Sequence, residues 1–275
     1  MSDRILLQAN DGAMAEIHLR GAHVTRWQPA GEQDNRLFVS DRPIYAAEVP
    51  IRGGVPVIFP QFAGEGPLPK HGFARTAPWV LHDSNIDHAG EAVATFTLAA
   101  SSATRAIWNH TFLATLTVRV GGARLHLQLQ VTNTGDWPFE FTSALHSYLA
   151  VAEISEVSVH GLSGLHYRDT ADAGRHKLEQ AEPVRIAGEV DRNYFDAPER
   201  LTLKDGVRIL QLHQQGFADT VLWNPGAARS QGFADLGPQD YRRFLCIEAA
   251  AIGRPIHLEP GMAWQGGQTL VAGSA

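Results

Sequence analysis

Alternation of apolar and polar side chains dominates the middle of the chain. Across residues 125–131 every second residue is Leu or Val, and the positions between them are His or Gln. Side chains of a β-strand point alternately to its two faces, so this pattern predicts a half-buried strand. Residues 111–120, rich in Thr, Val and Leu, predict a neighbouring strand, and Gly121-Gly122 between the two favours a tight hairpin turn.

Similar patterns recur along the rest of the chain. Asp205-Gly206 predicts a second hairpin, and a turn at residues 133–136 leads into a predicted strand at 138–149. Further strand-like runs cover residues 92–99, 157–160, 220–223, 244–249 and 269–272. No long amphipathic helix, internal repeat or linker is evident. The sequence therefore predicts an all-β fold, a large antiparallel β-sandwich, as a single domain over residues 1–275.

Composition narrows the class of protein. The 275 residues are 44% hydrophobic and 19% charged, which is ordinary for a globular protein. There is no run of about 18 apolar residues and no visible secretory signal, so we expect no membrane association and a cytoplasmic location. A net charge of −6 argues against general nucleic-acid binding. The one cysteine, Cys246, excludes an internal disulfide and is interpreted as a packing residue.

One glycine-rich segment differs from an ordinary solvent loop. Residues 51–75 contain five Gly and four Pro, yet also many large apolar side chains. Arg52, Lys70 and Arg75 stand against Glu65, a local charge of +2 in a chain of net negative charge. Long structured loops of this kind are more often functional than decorative. The segment predicts a buried pocket that meets an anion.

Two titratable residues lie within predicted strands. His146 shares a strand face with Ala144 and Tyr148, although a lone strand histidine is more often structural than catalytic. Glu248 interrupts an apolar run, and a buried carboxylate is costly unless it is paired, so such residues are commonly functional. The alternative is an edge strand on which Glu248 faces water.

Other side chains suit a charged or hydroxylated ligand. The guanidinium groups of Arg52 and Arg75 can form paired, planar bonds to phosphate or carboxylate, but both could also be surface arginines. Asp191 and Asp219 could each bind a hydroxyl group or serve as turn residues. Trp137, Trp223 and Trp264 could stack on sugars or pack in the core.

Several familiar catalytic signatures are missing from the sequence. It contains no P-loop, no GxGxxG, no HExxH and no GxSxG motif. His18, His23, His82 and His88 show no metal-ligand grouping. We therefore expect neither a metal nor a cofactor.

Taken together, the motifs make the chain similar to the hexose-6-phosphate mutarotases, also called glucose-6-phosphate 1-epimerases, of the galactose mutarotase-like superfamily. The likeness extends over nearly the whole chain, and the order of all the motifs makes it specific. The motifs are RGGVPVIFPQF at 52–62, PKHGFAR at 69–75, VTNTGDWPFEFTSALHSYL at 131–149, GLSGLHYRD at 161–169, EVDRNY at 189–194, VLWNP at 221–225 and CIEAA at 246–250.

The resemblance implies a role for seven residues. It implies that His146 and Glu248 transfer protons. It also implies that five residues line the substrate site: Arg52, Lys70, His71, Arg75 and Asp191. Two positions depart from the family pattern, since many relatives have Gln at the position of Lys70 and an aromatic residue at that of Gln61.

The reaction expected from the resemblance is the interconversion of the α and β anomers of a hexose 6-phosphate. Ionised Glu248 would take the proton of the O1 hydroxyl, and cationic His146 would protonate the ring oxygen O5. We expect a small sugar phosphate as the only partner, no cofactor, and a monomer. The alternatives are a mutarotase for unphosphorylated aldoses such as galactose, a non-catalytic carbohydrate-binding module, and a structural or regulatory relative that kept the fold.

Overall fold

The computed structural model describes residues 3–42 and 49–274, which consist largely of β-strands. Two short helices, α1 (Ser102–Ile107) and α2 (Gly226–Ser230), interrupt them. Short 3₁₀ turns occur at Ile154–Glu156, Thr170–Asp172 and Asp240–Arg243. In chain order the described strands are β1 Arg4–Gln8, β2 Met14–His18, β3 His23–Gln28, β4 Val57–Ile58, β5 Val80–Ile86, β6 Ala92–Ala99, β7 Phe112–Gly121, β8 Arg124–Asn133, β9 Phe139–Leu145, β10 Tyr148–Ala150, β11 Ser158–His160, β12 His166–Asp169, β13 Arg175–Leu178, β14 Val184–Arg185, β15 Val190–Tyr194, β16 Arg200–Asp205, β17 Arg208–Gln215, β18 Asp219–Asn224, β19 Phe244–Leu258 and β20 Ala263–Ser274.

These strands form three sheets in which every pair of neighbours is antiparallel. A small sheet has the order β1-β2-β3. A nine-stranded sheet has the order β14-β11-β16-β17-β20-β8-β7-β6-β5. An eight-stranded sheet has the order β13-β12-β15-β18-β19-β9-β4, and β10 pairs with β19 beside it. The prediction of a large antiparallel all-β fold is confirmed.

The main apolar core lies between the two large sheets. Leu116 on β7 and Leu127 on β8 come from the nine-stranded sheet, and Leu145 and Ile247 come from the eight-stranded sheet. All four are at most 1% exposed and belong to one apolar cluster. Burying such a side chain contributes about 1.5–3 kcal/mol. The alternating pattern of β7 and β8 therefore reflects one face in this core and one face toward solvent.

Both predicted hairpins are present. Strand β7 ends at Gly121 and β8 begins at Arg124, with Gly122 at a φ of 56°. Gly206 has a φ of 60° between β16 and β17. These left-handed conformations are readily adopted by glycine. No helix within residues 3–42 and 49–274 is long and apolar enough to cross a membrane.

The predicted strand at 138–149 is wrong as one continuous element, because it breaks at His146 and Ser147. Strand β9 ends before these residues and β10 begins after them. At the break the backbone N–H of His146 donates to the carbonyl of Pro56 at 3.1 Å, and that of Tyr148 donates to Gly54 at 2.9 Å. The glycine-rich segment thus lies directly beside His146.

The break leaves the strand register unchanged. On one side of it Leu145 lies opposite Ala249, and on the other side Tyr148 lies opposite Cys246. Counting inward from either pair places His146 opposite Glu248. Side chains at opposed positions of antiparallel strands lie on the same face and close together.

The glycines after Arg52 let the chain pass close to its neighbours. A Cβ atom on Gly54 would lie 2.3 Å from the carbonyl oxygen of Val24, and the residue has a φ of +64°. Beside it, Nε2 of His23 donates to the carbonyl oxygen of Gly53 at 2.7 Å. Since no side chain fits at Gly54, the approach of this loop to β3 depends on glycine.

Candidate active site

The candidate site occupies the face of the eight-stranded sheet that points away from the main core. On β19, Leu245 and Ile247 belong to the main core, whereas Cys246 and Glu248 point to the opposite face. Strand β19 is central in its sheet and Glu248 is only 1% exposed. The alternative of a water-facing edge strand is therefore wrong.

His146 and Glu248 are in direct contact on this face. Nε2 of His146 lies 3.3 Å from Oε1 of Glu248, and both side chains are buried. Within the described ranges, His146 Nδ1 and Glu248 Oε2 have no hydrogen-bond partner. Because buried polar atoms are normally paired, these two atoms have hydrogen-bonding capacity that no protein group uses.

Burial disfavours the charged form of both members of this pair. Burial lowers the pKa of His146 well below its usual value, and the nearby His71 and Arg75 act in the same direction. Burial raises the pKa of Glu248 well above its usual value, with Asp191 adding to the effect. Both shifts favour the uncharged form of the group, a protonated Glu248 beside a neutral His146, because neither charge is well solvated. The sequence-based expectation of a cationic His146 and an ionised Glu248 stays a prediction, and the direction of both pKa shifts runs against it in the substrate-free protein.

Aromatic side chains hold the His146 ring in place. Tyr148 stacks on it at a centroid distance of 4.8 Å and an interplanar angle of 8°. Trp223 and His71 contact it edge-on at 5.9 and 5.8 Å. Of the three tryptophans considered from sequence, Trp223 lies at the site. Trp264 packs on Phe141 and Phe217, and Trp137 is 79% exposed.

Arg52 lies at the site, but an internal carboxylate already balances its charge. Its Nε and Nη2 donate to the two oxygens of Asp235 at 3.1 and 3.2 Å. Its Nη1 donates to the hydroxyl oxygen of Tyr148 at 3.2 Å, and Phe233 lies 4.8 Å beneath the guanidinium. Three of its five N–H groups are thus used, and two remain for a ligand. Sequence reasoning missed Asp235, which is 183 residues away in the chain.

Arg75 and Lys70 supply positive charge that is not balanced in this way. Neither forms an ion pair with any residue in the described part of the chain. Nη2 of Arg75 donates to the backbone carbonyl of Lys70 at 3.0 Å. Burial lowers the pKa of Arg75 to about 10 and lowers that of Lys70 below its usual value, so Arg75 stays charged at neutral pH. Of the three cationic residues predicted from segment 51–75, these two are the best suited to bind an anion.

His71 provides a neutral hydrogen-bond donor. Its Nδ1 accepts the backbone N–H of Ala63 at 3.2 Å, which leaves the imidazole hydrogen on Nε2. Burial lowers the pKa of His71 to about 3, and the cations Arg75 and Lys70 add to the shift. At neutral pH the ring is therefore uncharged and offers one N–H.

Asp191 lies on the same sheet face as the pair, whereas Asp219 has a structural role. Asp191 is opposite Trp223 in the register. Burial raises the pKa of Asp191 to about 6, against the opposing charges of Arg229 and Lys70. Asp219 accepts the backbone N–H groups of Ile252 and Gly253 at 2.8 and 2.7 Å, so its oxygens support β19.

Gln61, which departs from the family pattern, closes the loop over residues 61–68. Its side chain donates to the carbonyl of Leu68 and accepts the N–H of the same residue, both at 3.0 Å. Among residues 3–42 and 49–274, no group of three or more His, Cys, Asp or Glu side chains is arranged to hold a metal ion.

Comparison with known proteins agrees with the fold. The family model for aldose 1-epimerase matches residues 3–270. A protein from Cenchrus ciliaris, provisionally named glucose-6-phosphate 1-epimerase, is 33% identical over 98% of this chain and 84% of its own. An Escherichia coli K12 protein with the same provisional name is 37% identical over 86% of this chain and 79% of its own. The crystal structure of a provisionally assigned mutarotase from Salmonella typhimurium superposes with a TM-score of 0.91 at 29% identity, covering 99% of this chain and 90% of the other.

Proposed function

Because the chain belongs to the aldose 1-epimerase family and is an isomerase, we propose that it interconverts the α and β anomers of hexose 6-phosphates, with glucose 6-phosphate as the preferred substrate. The buried His146–Glu248 contact carries this proposal, since it joins an imidazole and a carboxyl group that each keep one unpartnered polar atom. The unbalanced charges of Arg75 and Lys70 support a phosphorylated sugar. The names of the relatives point to the same substrate.

The proposed reaction uses the one proton that the pair shares. Transfer across the 3.3 Å contact converts neutral His146 and protonated Glu248 into a cationic acid and an ionised base. Glu248 then takes the O1 proton while His146 protonates O5, so that the C1–O5 bond breaks as C1=O1 forms. The open-chain aldehyde therefore faces a protonated Glu248 and a neutral His146, which is the resting state. Rotation about C1–C2 and closure by the reverse transfers yield the other anomer.

The geometry suits this chemistry because O1 and O5 are bonded to the same carbon. The two oxygens are close in space, so an acid and a base in contact with each other, as His146 and Glu248 are, can each serve one of them. Positioned acid–base groups contribute about 10²–10⁴-fold to a rate. The ring contacts of Tyr148, Trp223 and His71 restrict His146 to one orientation, which such transfers need.

Substrate binding is divided between charged and neutral groups. We assign the phosphate to Arg75 and Lys70, whose charges have no internal partner among the described residues. Arg52 is paired with Asp235, so its two remaining N–H groups suit a sugar hydroxyl better than an anion. Asp191 and the Nε2–H of His71 bind further hydroxyl groups. Phosphate binding far from C1 holds the sugar while C1 reacts.

Exchange between the anomeric protons of glucose 6-phosphate, followed by NMR with and without the protein, tests the proposal directly. We expect faster exchange with the protein and loss of the effect in His146→Asn. Parallel measurements on glucose and galactose separate the alternatives. Equal acceleration of free and phosphorylated sugars would indicate a mutarotase for unphosphorylated aldoses. Sugar binding without any acceleration would indicate a carbohydrate-binding module.

A further inference from the structure

We propose that Asp235 is a positioning residue for the anomerisation chemistry, acting on His146 through Arg52 and Tyr148. This inference rests on the proposed function for its kinetic consequences, but its structural part is independent of the substrate. Asp235 forms hydrogen bonds with Arg52 and none with His146 or Glu248, so its action is indirect. Its effect is to hold two side chains on which the orientation of the His146 ring depends.

The contacts form a continuous chain. The Asp235 carboxylate accepts two N–H groups of Arg52, at 3.1 and 3.2 Å, in a paired arrangement that fixes the plane of the guanidinium. Nη1 of that guanidinium donates to the hydroxyl oxygen of Tyr148 at 3.2 Å. The Tyr148 ring then lies parallel to the His146 imidazole, at 4.8 Å and 8°. Each link restricts the next one.

The loop that carries Asp235 is anchored on both sides of it. Phe233 lies under the Arg52 guanidinium at 4.8 Å and also contacts Trp223 edge-on at 6.2 Å. Leu236 is buried in the apolar cluster that contains Tyr148. The segment 233–236 therefore supports the tyrosine and the arginine together, and the aromatic wall of the site as well.

Charge explains why a carboxylate is needed at this position. Arg52 is largely buried, with 20% of its side chain exposed, and Asp235 is 12% exposed. A buried guanidinium without a partner is unfavourable and would seek solvent or another carboxylate. Glu248 is the acidic group of the catalytic pair on the same sheet face. Pairing with Asp235 thus keeps Arg52 in place and away from the proton that His146 and Glu248 share.

The variant Asp235→Asn tests this inference, since it keeps the shape and removes the charge. We expect kcat for glucose 6-phosphate anomerisation to fall by about tenfold to a hundredfold, the scale on which small misplacements act, with a smaller change in KM. Asp235→Glu should restore part of kcat. The control is Asp240→Ala, which removes a buried carboxylate near Asp235 that accepts hydrogen bonds from Ser40, Arg243 and the backbone N–H of Gly237 but forms none with Arg52. It should lower the melting temperature but leave kcat near the wild-type value.

A second measurement does not need turnover. The imidazole signals of His146, assigned by their loss in His146→Asn, should shift in substrate-free Asp235→Asn and stay in place in Asp240→Ala. Unchanged imidazole signals in Asp235→Asn would overturn the inference, as would a kcat loss that Asp240→Ala reproduces. If the wild-type protein failed to accelerate anomer exchange, the proposed function would fall. The imidazole shifts would still decide whether Asp235 positions His146.

Discussion

Glu248→Gln should inactivate the protein and stabilise it at the same time. The carboxyl group is 1% exposed, and burial raises its pKa well above the usual value. In the unfolded chain the same group ionises near its ordinary pKa of 4.5. Between these two values the folded protein binds a proton that the unfolded protein releases. The free energy of unfolding contributed by Glu248 therefore decreases as the pH rises through this interval.

The size of the effect follows from that linkage. A difference of one bound proton changes the free energy of unfolding by about 1.4 kcal/mol per pH unit. Glutamine has a similar shape, can still hydrogen-bond His146, and does not titrate. We expect the advantage of the variant over wild type to be small near pH 4.5, to grow by up to about 1.4 kcal/mol for each pH unit above it, and to level off above the folded-state pKa.

Urea denaturation of both proteins at several pH values between about 5 and 8 measures this difference. Anomer exchange measured on the same samples should be lower by about 10²–10⁴-fold in the variant, because Gln cannot accept the O1 proton. Glu259→Gln is the matched control, since that carboxylate lies on the surface beside His257 and should change neither quantity much. A stability difference that is independent of pH, or turnover near the wild-type level, would refute the reasoning.

Three further predictions concern other parts of the site and fold. Arg75→Ala should raise KM for glucose 6-phosphate by about tenfold or more relative to KM for glucose, because a charge-assisted bond contributes about 1.5–3 kcal/mol. Arg52→Ala should weaken the binding of both sugars alike. If anomer-exchange kinetics gave the two variants the same ratio of these KM values, the assignment of the phosphate to Arg75 would be contradicted. Gly54→Ala should lower the melting temperature by more than Gly12→Ala, because both glycines have positive φ but only Gly54 lacks space for a Cβ. Similar losses of thermal stability in the two variants would show that backbone strain alone matters. Because burial raises the pKa of Asp191 to about 6, KM should rise as the pH falls below that value in wild type but not in Asp191→Asn. If the plot of KM against pH kept its inflection in the variant, the inflection would belong to another group.

The sequence predicts where the strands lie along the chain better than it predicts which strands pair with each other. Alternation and the glycine pairs reveal β7, β8 and their hairpin because these features depend on residues close in the chain. His146 and Glu248 are about a hundred residues apart, and their contact follows from the pairing of β9 and β10 with β19. No local pattern encodes that pairing, so the residues implied by the resemblance could be named from sequence while their 3.3 Å contact could not.

Two identical pentapeptides in the chain show why Asp235 could not be predicted from the sequence as a residue of the site. The sequence QGFAD occurs at 215–219 and again at 231–235. In the first copy Asp219 accepts backbone N–H groups of Ile252 and Gly253 and supports β19. In the second copy Asp235 pairs with Arg52. A carboxylate binds whichever donors the fold brings to it, and here those donors lie 33 and 183 residues away. Because the local sequence is the same, the difference in role between the two aspartates resides wholly in the tertiary structure.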